Sequence, residues 1–137
     1  MNKNPRGLRN NNPLNIEKGN NWQGERACQT DRRFEEFISL EYGLRAGFII
    51  IRNYLKQRPP LDTVRKIITR WAPPSENDTA HYIQVVCNRG YLEPDAKLRF
   101  SDKQKICRLI WAMCYVECGQ EVSFGRVENA YALACRS

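Results

Sequence analysis

The chain is poor in the residues and patterns that mark several large functional classes. It has one histidine, His81, in 137 residues, and its six cysteines, at 28, 87, 107, 114, 118 and 135, form no C-x-x-C pair. Zinc ligation needs clustered thiolate and imidazole donors, so a structural or catalytic zinc site is not expected, and no cofactor motif is present. The longest aliphatic run, Phe48 to Ile51, is far shorter than the roughly 18 apolar residues of a membrane span. The N-terminus, Met1-Asn2-Lys3-Asn4-Pro5-Arg6, is basic but lacks the apolar stretch of a secretory leader. Internal repeats are missing as well.

What the chain does have is positive charge. A formal net charge of +7 and an isoelectric point near 9.3 suit an anionic partner such as nucleic acid, acidic lipid or the bacterial envelope. The basic residues are scattered; the tightest groups are Arg32-Arg33 and Arg65-Lys66. No recognition motif accompanies them, so no specific nucleic-acid partner is expected. Cys107, Cys114 and Cys118 follow one another at steps of seven and four, near one side of one helix. They read as small buried hydrophobes; disulfides formed after delivery to an oxidising compartment are the alternative.

Hydrophobic periodicity predicts a mainly α fold with a small β-hairpin, about five helices around one core in a single domain, 1-137. Residues up to about 33 are rich in Asn, Gly, Arg and Pro and read as turns, with a short strand near Leu14-Asn15-Ile16 and another at Phe34–Ile38 as the hairpin. Ser39 is placed to cap a helix carrying Leu44, Phe48, Ile51 and Leu55, stopped by Pro59-Pro60. Asp62 or Thr63 opens a second, with Val64, Ile67, Ile68 and Trp71, and Asp78 or Thr79 a third, with Tyr82, Ile83, Val86 and Cys87. Ser101 and Gln104 form a capping-box pattern before the longest helix, and Ser123 can cap the last.

One residue breaks the pattern of that longest helix. Ile106, Ile110 and Met113 form an apolar stripe, and Glu117 is its next step of four, in the last turn before Gly119. Partial burial and the negative end of the helix dipole both disfavour a charged carboxylate there. A carboxyl group kept neutral can protonate a glycosidic oxygen, which makes Glu117 a candidate general acid. A frayed helix end that lets the side chain reach water is the ordinary account of the same spacing.

Glu41 stands in the first turn after Ser39, where the dipole favours the ionised form. An acidic residue at a helix start explains it; so does a second, charged carboxylate of the kind glycosidases use. Asp31 and Glu25, in the polar N-terminal region, could hold a water or a sugar hydroxyl equally well. The segment Trp71–Thr79 combines an aromatic ring and two prolines with Glu76, Asn77 and Asp78 just ahead of Tyr82. Capping and solvation account for these polar residues, yet rings beside amides and carboxylates are also what a sugar cleft requires. Trp22, in Asn-Asn-Trp-Gln-Gly, carries the same pair of readings, stacking platform or core.

At these residues the sequence resembles a family from bacteriophages and prophages. The matching pieces are Arg6–Ile16 (RGLRNNNPLNI), Trp22-Gln23-Gly24, Phe37–Ala46 (FISLEYGLRA) and Trp71–Tyr82 (WAPPSENDTAHY), in one order over about the first ninety residues. Proteins with this pattern are described as virion structural proteins or as virion-associated or prophage lysins. The pattern is also similar to the glucosaminidase family of the lysozyme superfamily, with its Asn-Asn-Pro-like segment, hairpin and Tyr-bearing helix.

The resemblance implies a lysozyme-like α+β fold and cleavage of peptidoglycan, with Asn11, Asn12, Trp22, Trp71, Glu76, Asn77, Asp78 and Tyr82 holding the glycan. In that family the catalytic glutamate ends a helix that precedes the Asn-rich segment, whereas here Glu117-Cys118-Gly119 ends a helix that follows it. A circular permutation accommodates the departure, since the termini of compact domains often lie close together. It makes Glu117 the catalytic acid, with Glu41 or Asp31 as its partner carboxylate in a hydrolase, or neither in a lytic transglycosylase.

The competing expectations are a non-catalytic virion or wall-binding protein that keeps the fold, and a nucleic-acid-binding phage protein. The hydrolase and wall-binding readings expect synthesis in the cytoplasm without a signal peptide. Action at the periplasm and cell wall, or carriage in a virion, then calls for delivery by a holin, a phage tail or a secretion machine.

Overall fold

The computed structural model of the protein describes residues 4–137. Six helices appear in the order α1 (Arg6–Arg9), α2 (Leu40–Lys56), α3 (Val64–Trp71), α4 (Thr79–Gly90), α5 (Lys103–Cys118) and α6 (Phe124–Cys135). The five long ones follow the predicted periodicity. Leu44, Phe48 and Ile51 of α2, Ile67 and Ile68 of α3, Val86 of α4, Ile106, Ile110 and Met113 of α5, and Val127 of α6 are all at 0% exposure. They join one hydrophobic cluster.

Caps explain where the helices begin. The side chains of Ser39, Thr63, Asp78 and Ser123 each accept a hydrogen bond from the backbone N–H three residues on, satisfying a donor that the helix itself leaves free. For α5 the Ser101–Gln104 box is not used. Asp102 caps instead, accepting from Lys105 N at 3.2 Å, because the helix starts one residue later than that box requires. Its other end is closed by Gly119 in the left-handed conformation.

α2 packs along α6, α4 along α5, and α5 along α6, so α5 lies at the centre. Tyr131 of α6 locks one end of the core, its ring edge-on to Phe48 at 5.6 Å and stacked on Phe100 at 5.3 Å. Cys107, Cys114 and Cys118 are buried on α5, as small core residues, and all six cysteines are free thiols.

The N-terminal segment departs further from expectation. The one-turn helix α1 sits where only turns were expected, four residues being too few to leave a periodic signal. In place of a regular hairpin, two isolated antiparallel bridges, Glu17↔Phe34 and Glu25↔Phe37, pair the chain. Buried polar side chains hold this region. Asn12, at 0% exposure, donates to the carbonyls of Ile16 and Glu35 and accepts from Ile16 N at 3.0 Å. Glu36, at 2%, accepts from Thr30 N, Thr30 Oγ1 and Asp31 N.

The segment then closes on α2. The carbonyl of Asn11 lies so near Gly43 that a Cβ there would stand 1.8 Å from its oxygen. Only glycine permits that approach.

Candidate functional site

Where the N-terminal segment meets the end of α5, a cleft of about 490 Å³ opens. One wall is the segment itself, with Asn15, Asn20 and Phe34; the other is the α3–α4 loop, with Trp71, Glu76 and Asn77. Ile50 and Tyr54 of α2 contribute, and Glu117 lies among the lining residues.

The position of Glu117 follows from the stripe on α5. Its side chain is half-buried, directly beyond the fully buried Met113. Tyr82 Oη donates to Glu117 Oε2 at 2.9 Å, and Asn15 Nδ2 donates to Oε1 at 3.1 Å and to the Glu117 carbonyl at 3.3 Å. The carboxyl is therefore tied to α4 on one side and to the N-terminal segment on the other. Burial, with Glu117 close by as its acceptor, holds the Tyr82 phenol well above its ordinary value, so Tyr82 remains a donor. Cys118 Sγ donates to the Pro13 carbonyl at 3.1 Å and fastens the same corner. Burial, with Glu117 close by, pushes the thiols of Cys114 and Cys118 up, the latter to about 11, so neither is a thiolate nucleophile near neutral pH.

The rest of the cleft is built from aromatic rings and amides. Trp71 closes α3. Beyond it, Glu76 N and Asn77 Nδ2 both bond the Pro73 carbonyl and shape the loop. On the opposite wall the guanidinium groups of Arg6 and Arg33 lie over the Phe34 ring, at 4.7 and 4.8 Å from its centre. Arg33 is itself paired with Glu17 at 2.7 Å.

Glu117, Tyr82, Trp71, Glu76 and Asn77 are thus brought to one place, and the other candidates are not. Glu41 is bound by Arg126 of α6 through two hydrogen bonds of 2.9 and 2.7 Å, which join two helices and hold its carboxyl below the ordinary range. Asp31 accepts from both Arg6 Nε and Nη2 at 2.6 Å, from Asn10 and from two backbone N–H groups. The Arg6 guanidinium and these donors keep it well below the usual carboxylate range. Both carboxylates are committed to folding contacts rather than to the cleft.

Asn11 and Asn12 support the backbone instead of lining the cleft: Asn11 Nδ2 bonds the Phe37 carbonyl at 3.1 Å, and Asn12 is enclosed. Trp22 packs against the core, and Asp78 is spent on capping α4.

Sequence reasoning missed Asn15, Asn20, Phe34 and Tyr54. Asn15 carried a faint signal. It has a φ of 53°, the left-handed region that Asn tolerates better than most residues, in a run of asparagines that reads only as a turn. A larger groove of about 670 Å³ runs beside α4, past Arg65, Gln84, Cys87 and Tyr91. It gathers no comparable set of hydrogen-bonded carboxyl and aromatic groups. Among the described residues no cluster of three or more His, Cys, Asp or Glu side chains is disposed to hold a metal ion.

No family model matches the chain. Among curated proteins it is 44% identical over 102 residues to Protein P5 of Pseudoalteromonas phage PM2. It is a homologue of a phage protein. The aligned part covers 72% of this chain and 63% of the phage protein, so the chain spans less than two thirds of that relative's length. No described helix is long and apolar enough to cross a membrane.

Proposed function

We propose that this protein cleaves the glycan strands of bacterial peptidoglycan, with Glu117 as the general acid. The single observation that carries the reading is the seating of Glu117: a half-buried carboxyl at a helix end, in a cleft with Trp71 and Tyr54 for pyranose faces and Asn15, Asn20 and Asn77 for hydroxyl and acetamide groups. Each Glu117 oxygen accepts one protein donor, which leaves a position where the acid proton can sit and be donated to a sugar oxygen.

The reading takes the fold as lysozyme-like and circularly permuted. In its support, Pro13 and Asn15 meet the last turn of α5, the juxtaposition that a catalytic helix ahead of an Asn-rich segment would also create. Glu76 and Glu17 line the same cleft and replace Glu41 and Asp31 as candidates for a second carboxylate. Peptidoglycan is the partner, and the net positive charge suits its acidic surroundings. Action is at the wall or from a virion, with delivery by a holin, a phage tail or a secretion machine.

A second reading, a virion or wall-binding protein without catalysis, draws on the same hydrogen bonds. Tyr82 and Asn15 tie Glu117 to two other parts of the chain, as a purely structural anchor would be tied.

Turbidity loss of purified peptidoglycan separates the two. Glu117→Gln keeps the shape and one of the two acceptor oxygens but cannot donate as an acid, so lysis should fall by about 10²–10⁴-fold with the fold retained. Wall lysis by the parent that persists unchanged in the variant sinks the assignment of Glu117. Wall binding without lysis by the parent supports the second reading.

A further inference from the structure

A second concavity lies across Asn20 from the cleft. It holds about 360 Å³ and is lined by Lys18, Asn20, Asn21, Glu25, Gln29 and Glu35. Glu35 stands out in it. The residue is only 3% exposed, and its Oε2 is wholly buried with no hydrogen-bond partner. The group it faces is another carboxyl, that of Glu25. A buried carboxylate oxygen without a donor is uncommon, and two acceptors face to face need something positive between them.

Lys18, on the rim, forms no ion pair with either carboxyl among the described residues. Among the other lining groups, Gln29 Oε1 already accepts from Glu36 N–H, while Asn20 and Asn21 bring neutral amide oxygens. A proton shared by the two carboxyls would make no use of these, whereas a hard cation takes six to eight oxygens.

We propose that this pocket is a divalent-cation site for calcium, with the Glu25 and Glu35 carboxylates as its charged ligands and amide oxygens of the surrounding loop completing the set. Calcium fits better than magnesium, because a loop site with few charged ligands suits the larger, geometrically tolerant ion. Two carboxylates make a weak site, with a Kd of about 10⁻⁴–10⁻³ M, the range of extracellular calcium modules. Asn20 lines both this pocket and the cleft, so a bound ion would fix the loop that forms one cleft wall. The proposal does not depend on what the cleft does.

Burial and Glu25 push the Glu35 carboxyl up to about 7, while Lys18 opposes them. The test is therefore run at a pH of about 8, where a proton no longer competes. Calcium chloride is titrated calorimetrically into the full chain. Melting temperature is followed in parallel, with sodium chloride of equal ionic strength as the control.

Binding in the stated range is expected, with a rise of a few degrees at about 10 mM calcium and a smaller response to magnesium. Glu35→Gln and Glu25→Gln should each weaken calcium binding at least about tenfold; if the first fails to fold, the second carries the test. No response of the parent to calcium at that concentration overturns the proposal in favour of a shared proton. An undiminished response in the variants overturns it in favour of binding elsewhere.

Discussion

The two parts of this molecule are held together by different physics. Residues 39–137 form a helical body whose core is apolar, with Phe48, Ile67, Ile106 and Met113 fully buried. Residues 4–38 have little regular structure, and their interior is mixed: Leu14, Ile16 and Phe37 join the apolar core, while Asn12, Glu35 and Glu36 are buried beside them at 0, 3 and 2% exposure. Hydrophobic burial tolerates some repacking, whereas a buried amide or carboxylate must keep each specific partner. The candidate site lies on the seam. Glu117 comes from the helical body, and one of the residues that hydrogen-bond it, Asn15, from the N-terminal segment.

The largest effect should come from forcing the two parts open. Gly43→Ala places a methyl group 1.8 Å from the Asn11 carbonyl oxygen, and a backbone atom cannot step aside as a side chain can. A loss of about 3 kcal/mol or more is expected in denaturant unfolding. Gly47→Ala, on the same helix, meets the end of the Leu14 side chain instead, and should cost about 1 kcal/mol. Equal losses at the two positions would refute the tight backbone seam at Gly43.

Asn12→Ala tests the polar part of that interior. It removes three hydrogen bonds and leaves the Ile16 N–H and the Glu35 carbonyl without their partner, while the Ile16 carbonyl keeps the Glu35 N–H. About 2–3 kcal/mol should be lost. Proteolysis should show the early cleavages falling within residues 10–38 rather than in the helices; uniform protection would mean that the segment is not held by this side chain.

This contrast also explains what could be read from the sequence. The helices could be read because burial repeats along them: Ile106, Ile110 and Met113 announce a face, and Glu117 is conspicuous as its continuation. Ser39, Thr63 and Ser123 cap as their chemistry suggests, and only Asp102 displaces Ser101. The N-terminal segment has no such period. Asn12 buried and Asn11 supporting backbone look the same in sequence as asparagines reaching for a sugar. Glu41 and Asp31 looked like free carboxylates because their partners, Arg126 and Arg6, lie 85 and 25 residues away. Asn15 meets Glu117 across 102 residues, a distance over which no local pattern speaks.

A smaller effect is expected at Asp31, where pH supplies the readout. Its carboxyl is held well below the ordinary range, first by Arg6 and then by the backbone N–H groups of Arg33 and Phe34 and by Asn10. A depressed value means that the folded state prefers the charged form. The resulting stability is complete above the unfolded value of about 3.9 and drains away as pH falls below it. Asp31→Asn should cost about 1–2 kcal/mol near neutrality, and the gap from the parent should narrow in acid. A gap that stays constant from neutral pH down to about pH 2 would show that the charge itself contributes nothing.

The smallest change in stability, and the sharpest test of the seam as a site, is expected for Asn15→Gly. Asn15 holds a φ of 53°, which glycine adopts without the steric cost that any side chain carries. Against this gain stands the loss of two hydrogen bonds, to the Glu117 carboxyl and carbonyl, each worth roughly 1 kcal/mol. The two effects oppose each other, so unfolding free energy should move by no more than about 1 kcal/mol. The carboxyl of Glu117, however, would be clamped from the Tyr82 side alone. If the cleft cleaves glycan, lysis of purified walls should fall by about 10–100-fold with this near-neutral stability, because a loosely held acid spends less time within reach of its oxygen. A variant that loses stability and lysis in proportion would make Asn15 a folding residue. One that keeps both would remove the N-terminal segment from the catalytic machinery.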